Sequence, residues 1–308
     1  MTDLVFLGTG SGIPTKYRNH PAIWLRHEGE HFLFDCGEGT QRQLISAGLS
    51  FMRIRSIFIT HWHADHWAGL IGLLQTMNME NRKEELHIYG PDAERFISDI
   101  LDLDYWGVGF DIVPEDVPAE GDGIHSVLKT DEYEILSTPV EHSVPAVAYC
   151  FRESDKWNVD IDKATRLYGL KEGRLVGKLK EKGEIKLGPK TIRLEDVGIL
   201  KSGIKIVYSG DTAPCRNLER LAKDCDLLIH EATFEEMQEN RMHAGAKDAA
   251  QIAKKANAKL LILTHFSRRY ASTKPLLDEA KKVFPGTIAA EDYMLISLSK
   301  GKIAVRRV

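Results

Sequence analysis

The chain has 308 residues, 43% of them hydrophobic and 28% charged, with a formal net charge of −4. That is the profile of an ordinary globular protein with room for one large domain or two smaller ones, and it excludes a globally basic nucleic-acid or membrane-surface binder. The four cysteines (Cys36, Cys150, Cys215, Cys225) form no CxxC pair, which excludes a zinc ribbon or a disulfide framework and fits a reducing cytoplasm.

The first stretch, "MTDLVFLGTG", reads as a strand (Leu4–Leu7) entering a glycine turn and not as a signal peptide. Strands are expected at Ala22–Leu25 and His31–Phe34, then a helix over Gly39–Ala47 and a strand over Ile54–Ile59. Helices over Trp67–Met77 and Asp92–Leu103 flank a strand at Leu86–Tyr89. A strand at Glu134–Leu136 precedes a stretch that breaks the rhythm. Lys163 to Lys190 holds nine Lys or Arg against three Glu, a local charge of +6 that leaves −10 for the rest. With few large apolar side chains beyond Leu, Ile and Val, it reads as a basic segment without a core. Strands follow at Ile204–Tyr208, Leu227–Ile229 and Leu260–Leu263, with helices over Ala244–Lys255 and Lys274–Val283. The chain ends in two strands around Lys300 and Gly301. Strands and helices mixed in this way predict a layered α/β sandwich. No apolar run approaches the roughly 20 residues that cross a bilayer.

The densest chemical signal is "FITHWHADHWAGL". His61, His63, Asp65 and His66 form H-x-H-x-D-H on a strand-to-helix loop, where the first two and the last two can face different ways. Imidazole nitrogen and carboxylate oxygen suit Zn²⁺, and four ligands this close can serve two neighbouring ions. A single structural zinc would more often use cysteine, and none is near. Further donors follow other apolar strands: His142 in "TPVEHSVPA", Asp211 in "IVYSGDT" and His265 in "LLILTHF". One such residue means little, but the same pattern recurring at several strand ends points to a shared site. His230 reads as structural, closing an apolar strand.

These motifs together resemble the metallo-β-lactamase superfamily, and within it the ribonuclease Z family, which trims the 3′ end of precursor transfer RNA. The likeness runs end to end. "FLGTGSGIPTKYRN" is similar to the family's first strand and P-x-K-x-R-N loop, and "FDCGEGTQRQL" to its second glycine turn. "GDT", "LLIHEATF", "LTHFSRRY" and "AEDYM" are similar to later blocks. H-x-H-x-D-H alone marks the superfamily; "HEATF" joined to the P-x-K-x-R-N loop is more specific.

The resemblance implies an αββα sandwich spanning residues 1–308, with an inserted RNA-binding arm at residues 152–190. It implies two Zn²⁺ per chain. His61, His63 and His142 would hold one, Asp65, His66 and His265 the other, and Asp211 would bridge them, with Asp65 also acting as nominal general base. Glu231 and His243 match positions credited with proton delivery to the leaving oxygen. Here the sequence departs from the pattern, since His243-Ala244-Gly245 replaces the usual His-Ser-Thr and removes hydroxyls that could cap a helix or touch phosphate. The arm, through Lys178 and Lys180 among others, would grip the transfer-RNA body. Lys16, Arg18, Arg268 and Arg269 are candidate phosphate or acceptor-stem contacts. A cytoplasmic homodimer acting on precursor transfer RNA is the expected state. The alternatives are a metallo-hydrolase of the same fold acting on small phosphodiesters or other esters, and a non-catalytic RNA-binding scaffold with a relict metal site.

Overall fold

A computed structural model describes residues 1–103, 107–235, 242–299 and 302–308; the expected turn at Lys300 and Gly301 lies outside them. The chain forms two compact units. The larger comprises Met1–Lys129, Ile135–Phe151 and Lys205–Val308, and the smaller Thr130–Glu134 with Arg152–Ile204.

Among the described residues, the larger unit is built on two sheets. The first has eight strands in the order Lys302–Arg307, Met294–Ser299, Thr2–Gly8, Ala22–His27, Glu30–Phe34, Ile54–Phe58, Leu86–Gly90 and Ile112–Asp116. The second has seven, in the order Thr287–Ala289, Leu260–Thr264, Leu227–Glu231, Lys205–Tyr208, Val147–Glu153, Tyr133–Pro139 and His125–Lys129. Thr2–Gly8 is buried at every position, because both faces of the strand are covered and polar alternation has no place. On one face, Val5, Leu7, Trp24, Leu33, Ile57 and Ile88 pack against Leu44, Leu70, Leu73 and Ile97 of the helices Thr40–Ser46, Gly69–Met79 and Ala93–Leu101. On the other, aromatic rings meet the second sheet: Phe34 and Phe58 lie 6.1 and 5.4 Å from Tyr149, and Phe32 lies 6.3 Å from Phe151. The far face of the second sheet (Cys150, Val207, Leu228, Leu261) is covered by the helices Ala246–Lys255 and Lys274–Val283. The first of these presents Ala249, Ala250 and Ala253 to the sheet, small side chains that bring its axis close. The result is the αββα sandwich.

Parallel pairing fixes where loops collect. Glu30–Phe34, Ile54–Phe58 and Leu86–Gly90 run parallel in the first sheet. Lys205–Tyr208, Leu227–Glu231 and Leu260–Thr264 run parallel in the second. The loops that leave their C-terminal ends carry the chemistry, as in open α/β sheets generally.

The smaller unit corrects one reading of the sequence. The basic stretch does contribute to a core, in which its Ala164, Leu170 and Leu179 are buried with Ile192, Leu194 and Val197 just beyond it. Two helices, Ile161–Tyr168 and Arg174–Lys182, and a hairpin, Glu184–Leu187 with Lys190–Arg193, supply it. Local rules explain the helix ends: the Asp160 carboxylate accepts from the Lys163 amide, and Gly169 and Gly183 close the helices in the left-handed region. A few scattered apolar residues are enough for so small a core, and the surrounding lysines mask it.

Candidate metal centre

All nine residues singled out for metal and proton chemistry belong to the larger unit. Ile54–Phe58 ends just before Thr60 and His61, and the alternation of an extended chain separates His61 and His63 from Trp62. Trp62 turns the other way, stacking on Phe96 at 4.4 Å and donating its indole N–H to the Pro91 carbonyl. It anchors the loop while its neighbours face the site. Asp65 and His66 fall on the short helix Ala64–Trp67. The "FDCGEG" turn presses on that helix, since a Cβ on Gly37 would come within 2.2 Å of the Asp65 carbonyl oxygen. Asp211 follows Gly210, whose φ of 57° takes the chain back beneath Thr60, where a Cβ would meet the threonine at 2.8 Å. His265 itself has φ of 59°, a strained choice for a residue with a side chain, of the kind found at functional sites.

The donor atoms converge in two overlapping groups. Nε2 of His61 and Nε2 of His142 lie 3.0 and 3.1 Å from Nδ1 of His63. Nε2 of His265 lies 3.4 Å from both His66 Nε2 and Asp65 Oδ2. Asp211 sits between them, with Oδ2 3.9 Å from His61 Nε2 and 3.2 Å from His265 Nε2, and Oδ1 3.4 Å from His66 Nε2. Ligands about 2.0–2.1 Å from a tetrahedral zinc are separated by roughly 3.3 Å, so these spacings suit donors that share an ion. Oδ1 of Asp211 is buried without a hydrogen bond among the described residues, as an atom that ligates a cation would be. The donor set therefore fits a pair of divalent ions.

The outward-facing ring nitrogens are held as well. His66 Nδ1 donates to Asp35 Oδ2 at 2.7 Å, and that carboxylate also accepts from Tyr208 Oη at 2.8 Å and the Thr60 amide at 2.8 Å. His142 Nδ1 donates to the Met242 carbonyl at 2.8 Å, and His265 Nδ1 lies 2.8 Å from Thr233 Oγ1. The Thr233 hydroxyl in turn donates a hydrogen bond to Glu231 Oε2 at 2.6 Å. Each of these bonds leaves Nε2 with its lone pair facing inward. The Gly12 amide donates to Asp65 Oδ2 at 2.7 Å, which fixes the aspartate from the P-x-K-x-R-N side. Asp35, Thr60, Tyr208 and Thr233 went unremarked in the sequence. Asp35 lies within the "FDCGEG" turn, and an aspartate directly after an apolar strand was the available signal.

Electrostatics separates the imidazoles. Burial, reinforced by His66, His142 and His63, pushes His61 well below the usual histidine range, although Asp211 opposes this. Burial acts the same way on His66, yet Asp211, Asp35 and Asp65 outweigh it and hold that ring well above the ordinary value. The centre is thus a place that calls for positive charge. His243 stands beside it, with Nδ1 3.1 Å from both Glu231 oxygens and 3.7 Å from Asp211 Oδ2. Burial disfavours its charge, but the Glu231 hydrogen bond and carboxylate push it up to about 9. The missing hydroxyls after His243 leave the helix Ala246–Lys255 without a side-chain acceptor at Gly245, and the reciprocal bond remains, in which Asp248 accepts from the Gly245 amide at 3.0 Å. His230 is buried, with Nδ1 donating to the Glu231 carbonyl at 2.8 Å.

The remaining candidates are scattered. Arg18 donates to the carbonyls of Ser267 and Tyr270 and stacks over Phe266, tying the P-x-K-x-R-N loop to the loop after His265. Lys16 lies over the Tyr17 ring, and Arg268 and Arg269 are exposed. Lys178 and Lys180 are exposed on the smaller unit, with Lys180 Nζ 3.0 Å from Asn158 Oδ1.

Comparison with known proteins follows the same lines. A family model described as anti-Pycsar protein Apyc1 matches residues 2–99, and one described as beta-lactamase superfamily domain matches residues 193–266. The chain is 42% identical to a ribonuclease Z of Methanothermobacter thermautotrophicus over 97% of each protein. It is also 42% identical to a ribonuclease Z of Pyrococcus abyssi over the full length of both. Among solved structures, the short form of human tRNase Z aligns with a TM-score of 0.70 and 30% identity over 96% of this chain and 99% of that one.

Proposed function

The chain belongs to the ribonuclease Z family and is an endoribonuclease, and from that premise we propose that it cleaves precursor transfer RNA at its 3′ end with two zinc ions. The observation that carries the reading is the convergence of five imidazoles and two carboxylates beside the His243–Glu231 pair. When bound, the ions would lower the pKa of water and stabilise charge on the phosphoryl oxygens. The chain's own groups supply the rest. Asp65, held by the Gly12 amide, orients the attacking oxygen and accepts its proton. His243 carries a proton toward the departing 3′ oxygen, and Glu231 keeps the ring charged and aimed. The products are a transfer RNA with a 3′-hydroxyl and a trailer with a 5′-phosphate. The smaller unit, with Lys178 and Lys180, would grip the transfer-RNA body. Lys16, Arg18, Arg268 and Arg269 would lie along the acceptor stem. A cytoplasmic homodimer goes with this reading. The four cysteines are buried. Among the described residues no helix is long and apolar enough to cross a membrane.

The test is to map the cut on one precursor with and without an encoded CCA, alongside elemental analysis of wild type and Asp211→Ala. Cleavage after the acceptor stem, about two zinc ions per chain and metal loss in the variant are expected. One ion or none in active protein would sink the dinuclear assignment. Hydrolysis of a small phosphodiester with no cleavage of precursor would favour the general metallo-hydrolase.

A further inference from the structure

Outside the metal centre, the larger unit holds a cavity of about 360 Å³, the size of pocket that takes a small organic ligand. Its lining includes Tyr17, Arg18, Ser272, Thr273, Glu291 and Arg307. The mix is informative. Tyr17 is 77% exposed; Lys16 lies over one face of its ring, which leaves the opposite face for a partner ring. The Arg307 guanidinium suits phosphate, while Arg18 is engaged with the Ser267 and Tyr270 carbonyls; two hydroxyls suit ribose or base edges, and an exposed carboxylate accepts from an exocyclic amine. The buried Asp292 at the same cavity is already engaged, accepting from Thr9 Oγ1 at 2.7 Å and the Asn19 amide at 2.8 Å. It braces the wall and leaves recognition to the exposed groups.

The cavity adjoins the loops that hold the centre. Thr9 lines it, and the Thr9 carbonyl accepts from the Phe266 amide at 2.8 Å, one residue beyond His265. Three residues along from Thr9, the Gly12 amide bonds Asp65, and three residues span at most about 11 Å. The cavity wall at Thr9 is thus tied through short stretches of backbone to both His265 and Asp65.

We infer that this cavity takes one unstacked nucleotide flanking the scissile phosphate, with its base on Tyr17, its phosphate toward Arg307 and an amino edge toward Glu291. Stacking of this kind tolerates many bases, whereas the carboxylate favours those bearing an exocyclic amine over uracil. The inference deepens the precursor-RNA reading and rests on it.

A double-mutant cycle between protein and RNA tests it. Precursors carrying a single abasic site at successive positions around the cut are cleaved by wild type, Tyr17→Ala and Tyr17→Phe. Tyr17→Ala should raise KM roughly 5- to 150-fold, the range of one lost base stack, and Tyr17→Phe should retain most of the wild-type value. At one flanking position the abasic substitution should cost wild type a similar factor yet cost Tyr17→Ala little more. Glu291→Gln should narrow the preference for amino-bearing bases there. Effects that simply multiply at every position would overturn the inference. If wild type cuts no precursor, the functional reading fails separately. The pocket is then judged by anisotropy of a labelled single-stranded RNA oligonucleotide, where equal affinity of wild type and Tyr17→Ala refutes it and weaker binding by the variant supports it.

Discussion

Asp35→Asn is the sharpest test of how the proposed metal ligands are oriented. Asp35 has φ of 55°, a conformation asparagine also tolerates, so the backbone has no reason to move. What changes is a set of hydrogen bonds. Oδ1 accepts from the Thr60 amide at 2.8 Å, while Oδ2 accepts from His66 Nδ1 at 2.7 Å and Tyr208 Oη at 2.8 Å. An asparagine that keeps its oxygen on Thr60 turns its NH₂ toward His66. The imidazole must then accept at Nδ1 and carry its proton on Nε2, the atom that faces Asp65, Asp211 and His265. The opposite flip sets NH₂ against the Thr60 N–H in a fully buried place. Either way one buried group loses its partner, at a cost of about 1–3 kcal/mol. Loss of this support should weaken metal binding by about 10–100-fold, or roughly 1.4–2.8 kcal/mol. Competition titration against a chelator measures the affinity, and thermal unfolding of the metal-free protein measures the rest. Unchanged affinity at both sites would refute the claim that Asp35 sets the His66 tautomer.

His243→Ala should keep normal zinc content and RNA binding yet lose roughly 10²–10⁴-fold in cleavage rate; a drop in zinc matching that of His63→Ala would make His243 a ligand instead. His243 is pushed up to about 9 and acts in its protonated form, so cleavage should fall as pH rises past a limb at or below about 9, since bound cations oppose further positive charge. Glu231→Gln should move that limb to lower pH, and a rate–pH profile with an unmoved limb would show that another group donates the proton. Lys178→Glu with Lys180→Glu should weaken precursor binding and flatten its salt dependence by roughly 0.7–0.9 in the log–log slope for each phosphate no longer neutralised. An unchanged slope would remove both lysines from the RNA-binding surface.

The sequence by itself determined the candidate donors and the layered plan. H-x-H-x-D-H is legible because its four ligands are neighbours in the chain, and the apolar strands before His142, Asp211 and His265 could be read one at a time. The tertiary structure decided what depends on distant partners. Val147–Glu153, a central strand of the second sheet, went unread, as did the edge strands Ile112–Asp116 and His125–Lys129, because a short apolar run, or a five-residue segment as mixed as IVPED or HSVLK, carries no period that separates strand from loop. Asp35 gains its meaning from His66 and from Tyr208, 173 positions away. Glu231 gains its meaning from Thr233 and His243, and Gly37 from the Asp65 carbonyl it must let approach. Arg18, legible only as a cation, is half-committed to the carbonyls after His265. The core of the basic unit stayed hidden because six scattered apolar residues become a cluster only when its two helices and hairpin close on one another. Ligand chemistry is local and survives in one dimension; the bonds that aim the ligands join strands far apart in the chain, and folding alone brings them together.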